Sequence, residues 1–352
     1  MSPIPPNSKI LVSGVSGYIA AWVTDCLLRR GYSVRGTVRS EGKGAQLVAL
    51  FKERGFEPEK FEYVVVKDIA EKGAFDEAVK GVDAIEHIAS PVHLQADDPQ
   101  ELIEPAVNGT VGILESALKY APTIKRVVIT SSSAAVLHIE PHPMVFTDED
   151  WNEQAIQIVE KEGRLAPNMA KYRASKTLAE KAAWHFIQSH SDQIAWDLVA
   201  LNPPFVFGPV IHPVASITAL NTSTAEFIAV ALSQNAGGRT EEELATQGSC
   251  WVDVRDLAEA HTLALEKTDA GGQRMIVSAG PYVWQDWLDV ANSLSDLCPN
   301  RALPKGHPGA GKSAVHKIQL DSSKAARILG LQYRSKEETV KGILEDLQAK
   351  GW

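Results

Sequence analysis

Tyr172 and Lys176, two residues with complementary chemistry, lie four positions apart in a stretch with a helical pattern. Residues at i and i+4 share one face of an α-helix, so the phenol and the ammonium group can point into the same pocket. A phenol has a pKa of about 10, and a nearby cation favours the phenolate and lowers that pKa. The spacing therefore predicts a tyrosine that gives up its proton near neutral pH.

A cluster of hydroxyl side chains, Thr130 to Ser133, follows a β-branched run and precedes this helix. Ligands of open α/β sheets bind at the carboxyl edge of the strands, where this cluster is expected. A serine hydroxyl there can donate to a carbonyl oxygen and hold it beside the phenol. Ser132 is the first candidate and Ser131 and Ser133 are its rivals; the alternative is that all three only cap or turn the chain.

A glycine-rich stretch follows the first predicted strand and opens the first predicted helix, with the sequence Gly14-Val15-Ser16-Gly17-Tyr18-Ile19-Ala20. Glycine permits a tight turn and a close backbone approach, and the amides and dipole of a helix N-terminus favour a pyrophosphate. Glycine patterns occur by chance, but this one lies where a dinucleotide fold requires it. We predict a cofactor loop made by Gly14, Ser16, Gly17, Tyr18 and Ile19.

The second predicted strand ends at Arg39, where NAD-specific folds usually place an acid that binds the ribose 2′-hydroxyl. Arg39 and Lys43 can instead neutralise a 2′-phosphate, the arginine through a bidentate contact. We infer NADPH as the cofactor. After the third predicted strand, Asp68 is placed to accept a proton of the adenine amino group, and Ile69 to pack on the ring.

Short β-branched runs alternate with helical patterns over the first two hundred residues, which predicts a doubly wound parallel sheet, an α/β Rossmann fold. The candidate strands are 10–12, 33–38, 62–66, 84–88, 126–130 and 198–201, and the candidate helices are 19–30, 43–54, 75–79, 102–119 and 172–189. We assign residues 1–203 to an NADP-binding domain, to which 248–278 return. Residues 204–247 and 279–352 form mainly a smaller C-terminal substrate-binding lobe.

Composition excludes several classes of protein. The net charge of −9 argues against nucleic acid as a partner. No apolar run approaches the roughly 20 residues of a membrane span. Three scattered cysteines predict neither a disulfide framework nor a metal site, and an N-terminus without a basic and apolar leader predicts a cytoplasmic protein.

With these residues in place, the chain resembles the extended short-chain dehydrogenase/reductases. More narrowly, it is similar to the NADPH-dependent aldehyde and ketone reductases related to dihydroflavonol and methylglyoxal reductases. Other stretches that carry the resemblance are His87-Ile88-Ala89-Ser90-Pro91, Val107-Asn108-Gly109-Thr110, Asp150-Trp151-Asn152, Thr177-Leu178-Ala179-Glu180-Lys181 and Asn202-Pro203-Pro204-Phe205-Val206-Phe207-Gly208-Pro209.

The resemblance implies roles for individual residues. It selects Ser132 as the catalytic serine, and it adds to the cofactor site Ile88, Ala89, Ser90, Thr130, Pro203 and Phe205. It assigns to the substrate pocket Pro91, Ser133 and Pro204. The implied reaction moves a hydride from the nicotinamide to a carbonyl carbon while Tyr172 protonates the oxygen. Lys176 lowers the pKa of Tyr172 and binds the nicotinamide ribose.

Two alternatives stay open. One is a nucleotide-sugar epimerase or dehydratase, in which NAD remains bound; the missing acid after the second strand counts against it. The other is a non-enzymatic NADP-binding redox sensor, and intact Tyr172 and Lys176 count against that one. The expected partner is a small carbonyl compound, and the protein is expected to be a monomer or a homodimer.

Overall fold

The computed structural model describes residues 3–90 and 96–352 of the chain. In chain order the strands are β1 (Lys9–Val12), β2 (Ser33–Val38), β3 (Phe61–Val65), β4 (Ala84–His87), β5 (Arg126–Thr130), β6 (Met144–Phe146), β7 (Asp197–Asn202), β8 (Phe205–Phe207), β9 (Gly248–Asp253), β10 (Arg274–Ile276), β11 (Gly280–Val283) and β12 (Ile318–Leu320). The helices are α1 (Tyr18–Arg29), α2 (Glu41–Glu53), α3 (Gln100–Tyr120), α4 (Glu153–Glu162), α5 (Asn168–Ser189), α6 (Thr222–Ala231), α7 (Glu241–Thr246), α8 (Val254–Glu266), α9 (Trp284–Ser293), α10 (Ser323–Leu329) and α11 (Lys336–Lys350).

Seven parallel strands form the main sheet in the order β10-β7-β5-β4-β1-β2-β3. The chain reverses its direction of travel between β1 and β4, and ligands of open α/β sheets bind at such a switch point. Successive side chains of a strand point to opposite faces. Leu11 accordingly packs in a core with Ile113 of α3 and Phe186 of α5, while Val12 packs in another with Leu27 of α1 and Leu257 of α8. Both faces are covered by helices, which confirms the predicted doubly wound fold.

The smaller lobe is built on a three-stranded sheet in the order β11-β9-β8. Its core is aromatic: Trp287, fully buried, meets Trp251, Phe207 and Phe227 edge-on at ring-centroid distances of 4.7, 5.4 and 5.2 Å. Edge-to-face contacts suit the quadrupoles of aromatic rings. This packing joins α6, α9 and the small sheet into one body beside the main sheet.

The predicted strands of the main sheet agree with those observed to within a residue, and four of the five predicted helices form. The prediction of a helix over 75–79 is wrong, because residues 72–81 fold as successive turns. The amides of Ala74 and Asp76 bond the carbonyls three residues earlier, Glu71 and Gly73, and so short a segment does not repay helix nucleation.

Residues 248–278 divide between the two sheets. Strand β9 pairs with β8 and β11 in the small sheet, whereas α8 packs on α1 and β10 forms one edge of the main sheet. The division into a cofactor domain and a substrate lobe stays a prediction. Among the described residues, no helix is both long enough and apolar enough to cross a bilayer.

Candidate active site

A cleft of about 640 Å³ lies at the carboxyl edge of the main sheet, beneath the smaller lobe. Most of the site residues predicted from the sequence line it: Gly14, Ser16, Gly17, Tyr18, Ile19, Arg39, Lys43, Ile69, Ile88, Ala89, Ser90, Thr130, Ser132, Tyr172, Lys176, Pro203 and Pro204. Tertiary folding therefore brings together side chains from β1 through β7 that are up to about two hundred residues apart in sequence.

Three predicted residues do not line this cleft. Asp68 is exposed in an adjoining hollow that it shares with Arg39, and its carboxylate accepts the amide hydrogen of Ala70 at 2.9 Å. Phe205 is partly buried against the core of the small lobe and stacks on Phe207, with ring centroids 6.0 Å apart. Ser133 is buried, and its amide donates to the carbonyl of Pro203 at 2.9 Å. Pro91 lies outside the described residues.

The glycine loop approaches its neighbours too closely for larger residues. Gly14 has a φ of +67°, and a Cβ there would lie 3.0 Å from the Cβ of Ala89. Gly17 is the N-cap of α1 and offers no side chain to the first amides of the helix. Those amides are thus available to an anion in the cleft, which is the arrangement that binds a pyrophosphate.

Two exposed cations, Arg39 after β2 and Lys43 in the first turn of α2, line the cleft beyond the glycine loop. The acid beside them, Glu41, accepts a hydrogen bond from the hydroxyl of Tyr63 at 2.8 Å. The end of β2 therefore presents positive charge where an NAD-specific site would present a carboxylate.

Ser132 and Tyr172 both line the cleft, and the Ser132 hydroxyl is near enough to the phenol to lower its pKa. Ser132 also caps the short turn at 133–135, where its Oγ accepts the amide hydrogen of Ala134 at 3.1 Å. The cap uses a lone pair of the hydroxyl and leaves its proton to donate. The capping role and the predicted catalytic role are therefore compatible.

Lys176 lies deeper in the cleft than Tyr172. Its Nζ is 6.0 Å from the centroid of the Tyr172 ring and donates to the Oγ of Ser90 at 2.7 Å. Burial lowers the pKa of Lys176 from 10.5 to about 8, because the charged ammonium group loses its hydration. Helix α5 thus presents both side chains on one face, as the spacing predicts.

The pKa of Tyr172 does not shift in the direction that the sequence suggested. Burial raises the pKa of Tyr172, and the nearby Ser132 hydroxyl lowers it by a smaller amount. Burial is the larger of the two effects, so the net shift is upward. A raised pKa keeps the phenol protonated at neutral pH, which is the form required of a proton donor.

A buried serine fixes the chain beside the glycine loop. The Oγ of Ser13 accepts the amide hydrogens of Ile88 and Ala89, each at 2.9 Å, and lies 3.0 Å from Nδ1 of His87. Burial, and to a lesser extent Lys176, lowers the pKa of His87 to about 3, so its imidazole is neutral. Residues 88–90 are thereby held between the glycine loop and Lys176.

The cleft also contains residues that the sequence reasoning missed: Thr37, Val38, Ser40, Val66, Val206, Asn221, Thr222 and Ser223. The last three begin α6 in the smaller lobe. An Asn-Thr-Ser run before a helix is a recognisable N-terminal signal, but only the packing of the lobe places it over the cofactor cleft.

An open parallel sheet with a glycine-rich first turn, and a tyrosine and lysine one helical turn apart beneath it, define a class of nucleotide-dependent enzyme. The chain matches the NAD dependent epimerase/dehydratase family over residues 10–280 and belongs to that family. This confirms the resemblance to the extended short-chain dehydrogenase/reductases.

Within this family, the chain is similar to several named reductases. The chain is 37% identical to a ketoreductase of Aspergillus niger over 330 residues, which cover 93% of each chain. It is 35% identical over 344 residues to the NADPH-dependent methylglyoxal reductase of Saccharomyces cerevisiae, covering 94% of this chain and 96% of the relative. The crystal structure of yeast methylglyoxal/isovaleraldehyde reductase complexed with NADPH superimposes with a TM-score of 0.83 and 33% identity, covering 97% of this chain and 99% of that one.

Proposed function

We propose that this protein reduces the carbonyl group of an aldehyde or ketone to an alcohol with NADPH. The observation that carries the proposal is the meeting of Ser132, Tyr172 and Lys176 in a cleft that also contains the glycine loop and the Arg39–Lys43 pair. The relatives that match most of the chain are named as a ketoreductase and an NADPH-dependent methylglyoxal reductase. These names favour the reductase over the epimerase and the redox sensor.

The residues of the cleft fit NADPH. Gly14 adopts a φ of +67°, which other residues rarely adopt, and the first amides of α1 are available to a pyrophosphate. Arg39 and Lys43 supply the charge that a 2′-phosphate requires. Lys176, whose Nζ now donates to Ser90, is placed to bind the hydroxyls of the nicotinamide ribose.

NADPH supplies the hydride when it is bound. The Ser132 hydroxyl donates to the carbonyl oxygen of the substrate and holds it beside Tyr172. The phenol of Tyr172, kept protonated by burial, donates its proton to that oxygen as negative charge develops. Lys176, with a pKa near 8, remains largely charged at neutral pH and stabilises the phenolate that forms.

We assign the substrate end of the cleft to its side nearest the smaller lobe, where Pro204 and Val206 line the wall. A panel of aldehydes, α-keto esters and diketones should reveal at least one compound whose addition accelerates NADPH oxidation. Reactions without enzyme and without carbonyl compound give the background. Failure of every class in the panel, at enzyme concentrations where NADPH binding is measured, would contradict the proposed function.

Arg39→Asp should reverse or abolish the preference for NADPH over NADH. A charged hydrogen bond contributes about 1.5–3 kcal/mol, so we expect the ratio of the two Kd values to change by about 10- to 100-fold or more. Lys43→Ala should change it in the same direction, by less. Lys52→Ala, on the same helix but outside the cleft, is the control for a lost positive charge. An unchanged cofactor preference in Arg39→Asp would remove the 2′-phosphate assignment.

A further inference from the structure

We propose that Glu180 is a positioning residue for carbonyl reduction: its buried carboxylate holds Ser132 at a set distance from Tyr172. The inference rests on the proposed function, since it assigns a role relative to Ser132 and Tyr172. Glu180 lies on α5 and its side chain is fully buried. Burying a charged group is costly unless it is paired and hydrogen-bonded, so the surroundings of Glu180 indicate what the charge does.

Each oxygen of the Glu180 carboxylate accepts two hydrogen bonds. Oε1 accepts from Nε of Arg274 at 2.6 Å and from the indole of Trp184 at 3.3 Å. Oε2 accepts from the hydroxyl of Ser131 at 2.5 Å and from the amide of Asn202 at 2.7 Å. The carboxylate thus joins α5 to the ends of β5, β7 and β10.

Two of these bonds act on the backbone of Ser132. Ser131, whose hydroxyl binds Glu180, directly precedes it, and the amide of Asn202 that binds Glu180 also donates to the carbonyl oxygen of Ser132 at 3.1 Å. Asn202 is fully buried and Ser131 nearly so, so neither contact is exposed to competing water. The backbone on both sides of the Ser132 side chain is therefore tied to one carboxylate.

The same carboxylate is fixed relative to Tyr172. Glu180 follows Tyr172 by eight positions on α5, a little more than two turns at 3.6 residues per turn, so the two lie near one face of a stiff rod. Because Glu180 and Tyr172 are fixed on one helix, a displacement of Ser132 relative to Glu180 is also a displacement relative to Tyr172. The separation between the Ser132 and Tyr172 hydroxyls thus depends on the Glu180 carboxylate, two turns along the helix.

Arg274 neutralises the charge of the Glu180 carboxylate and makes further hydrogen bonds of its own. Its Nη1 donates to the carbonyls of Asp148 and Asp150 at 2.7 and 2.6 Å, and its guanidinium carbon is 3.8 Å from the centroid of the Trp151 ring. The arginine secures the loop before α4, and its Nη2 also donates to the carbonyl of Ala135 at 3.4 Å, whereas the contacts to Ser131 and Asn202 come from Glu180. The roles of Glu180 and Arg274 can therefore be tested by separate mutations.

Glu180→Gln keeps the shape of the side chain and removes its charge. We expect kcat for carbonyl reduction to fall by about 10- to 100-fold, because a shift of about 1 Å at a reacting group can cost 100-fold. The Kd for NADPH should stay within about twofold, since Glu180 does not line the cleft. Unchanged kcat would overturn the proposal.

Glu180→Gln also leaves Arg274 without its carboxylate partner and can destabilise the protein. A lower kcat caused by instability therefore has to be distinguished from one caused by misplacement of Ser132. The double variant Glu180→Gln, Arg274→Met has no unpaired charge. We expect its kcat to remain low at a temperature where it is fully folded; recovery of kcat to the wild-type value would overturn the proposal. Asp197→Asn is the matched control, because Asp197 pairs with buried Arg126 at the opposite end of β5 and should affect stability without affecting kcat.

A crystal structure of Glu180→Gln gives a test that does not need turnover. The proposal expects a longer separation between the Ser132 and Tyr172 hydroxyls than in the wild type, and an unchanged separation would overturn it. If the wild-type protein reduces no carbonyl compound, the proposed function fails. If the wild type is active and Glu180→Gln is equally active, only the role of Glu180 fails.

Discussion

Tyr172→Phe will retain NADPH binding and lose carbonyl reduction, with kcat lower by about 100- to 10,000-fold, the range that a positioned general acid contributes. The substitution removes a single oxygen, so the aromatic packing at the site is kept. Ser132 keeps its own contact with the amide of Ala134. The loss should appear in kcat and kcat/KM equally, because the proton is needed in the transition state.

The control for this variant is Tyr120→Phe. Tyr120 ends α3, away from the cleft, and its ring contacts the ammonium groups of Lys80 and Lys119. Removing its hydroxyl should leave kcat unchanged. Steady-state NADPH oxidation and fluorescence titration of NADPH measure the two properties separately. A Tyr172→Phe enzyme with wild-type kcat would contradict the assignment of the proton donor.

Lys176→Met will lose most of its reductase activity and yet make the cofactor-free protein more stable. Loss of the buried cation that stabilises a phenolate and binds the ribose should lower kcat/KM by about 100-fold or more. Burial lowers the pKa of Lys176 from 10.5 to about 8, so carrying the charge in the folded protein costs up to roughly 3 kcal/mol. Methionine fills a similar volume without that cost, and we expect a gain of about 1–3 kcal/mol in the free energy of unfolding.

The gain in the free energy of unfolding from Lys176→Met should decrease as the pH rises. Between pH 8 and 10.5 the unfolded chain holds a proton on Lys176 that the folded protein has released, so wild-type stability rises with pH across this window. Below pH 8 the cost of the charge is fully present, and above 10.5 it is absent. The advantage of Lys176→Met should therefore be largest below pH 8 and disappear towards pH 10.5.

Lys171→Met, on the same helix, should instead make the cofactor-free protein less stable. The Lys171 ammonium group donates to the carbonyls of Ala96, Asp97 and Arg164 at 2.8–2.9 Å, so its removal leaves three backbone acceptors without their donor. Denaturant unfolding without cofactor, repeated across the pH range, compares the variants. A Lys176→Met protein less stable than the wild type at pH 7 would contradict the assigned cost of the buried charge.

Much of the architecture could be predicted from local patterns. The apolar runs located the strands to within a residue, because a strand buried on both faces needs consecutive apolar side chains whatever its neighbours are. The i, i+4 spacing placed Tyr172 and Lys176 on one helical face for the same local reason. The false helix at 75–79 arose where the apolar pattern was only five residues long, too short to distinguish a helix from successive turns.

Other properties of the site could not be predicted, because they depend on contacts between distant segments. The pKa of Tyr172 follows burial and a serine forty residues earlier, and local spacing gave its direction wrongly. In the sequence, Glu180 is only one residue of a family motif. Its contacts with Ser131, Asn202 and Arg274 exist only in the folded chain.

The sequence by itself determined the order of the strands and helices, the glycine loop, the basic end of β2 and the pairing of Tyr172 with Lys176, since each depends on backbone geometry or on neighbours within a few residues. Only the tertiary structure decided how burial shifts the pKa values in the cleft, and that the start of α6 lines the cleft. Desolvation and hydrogen bonding are properties of the assembled surroundings of a group, and no local pattern contains them.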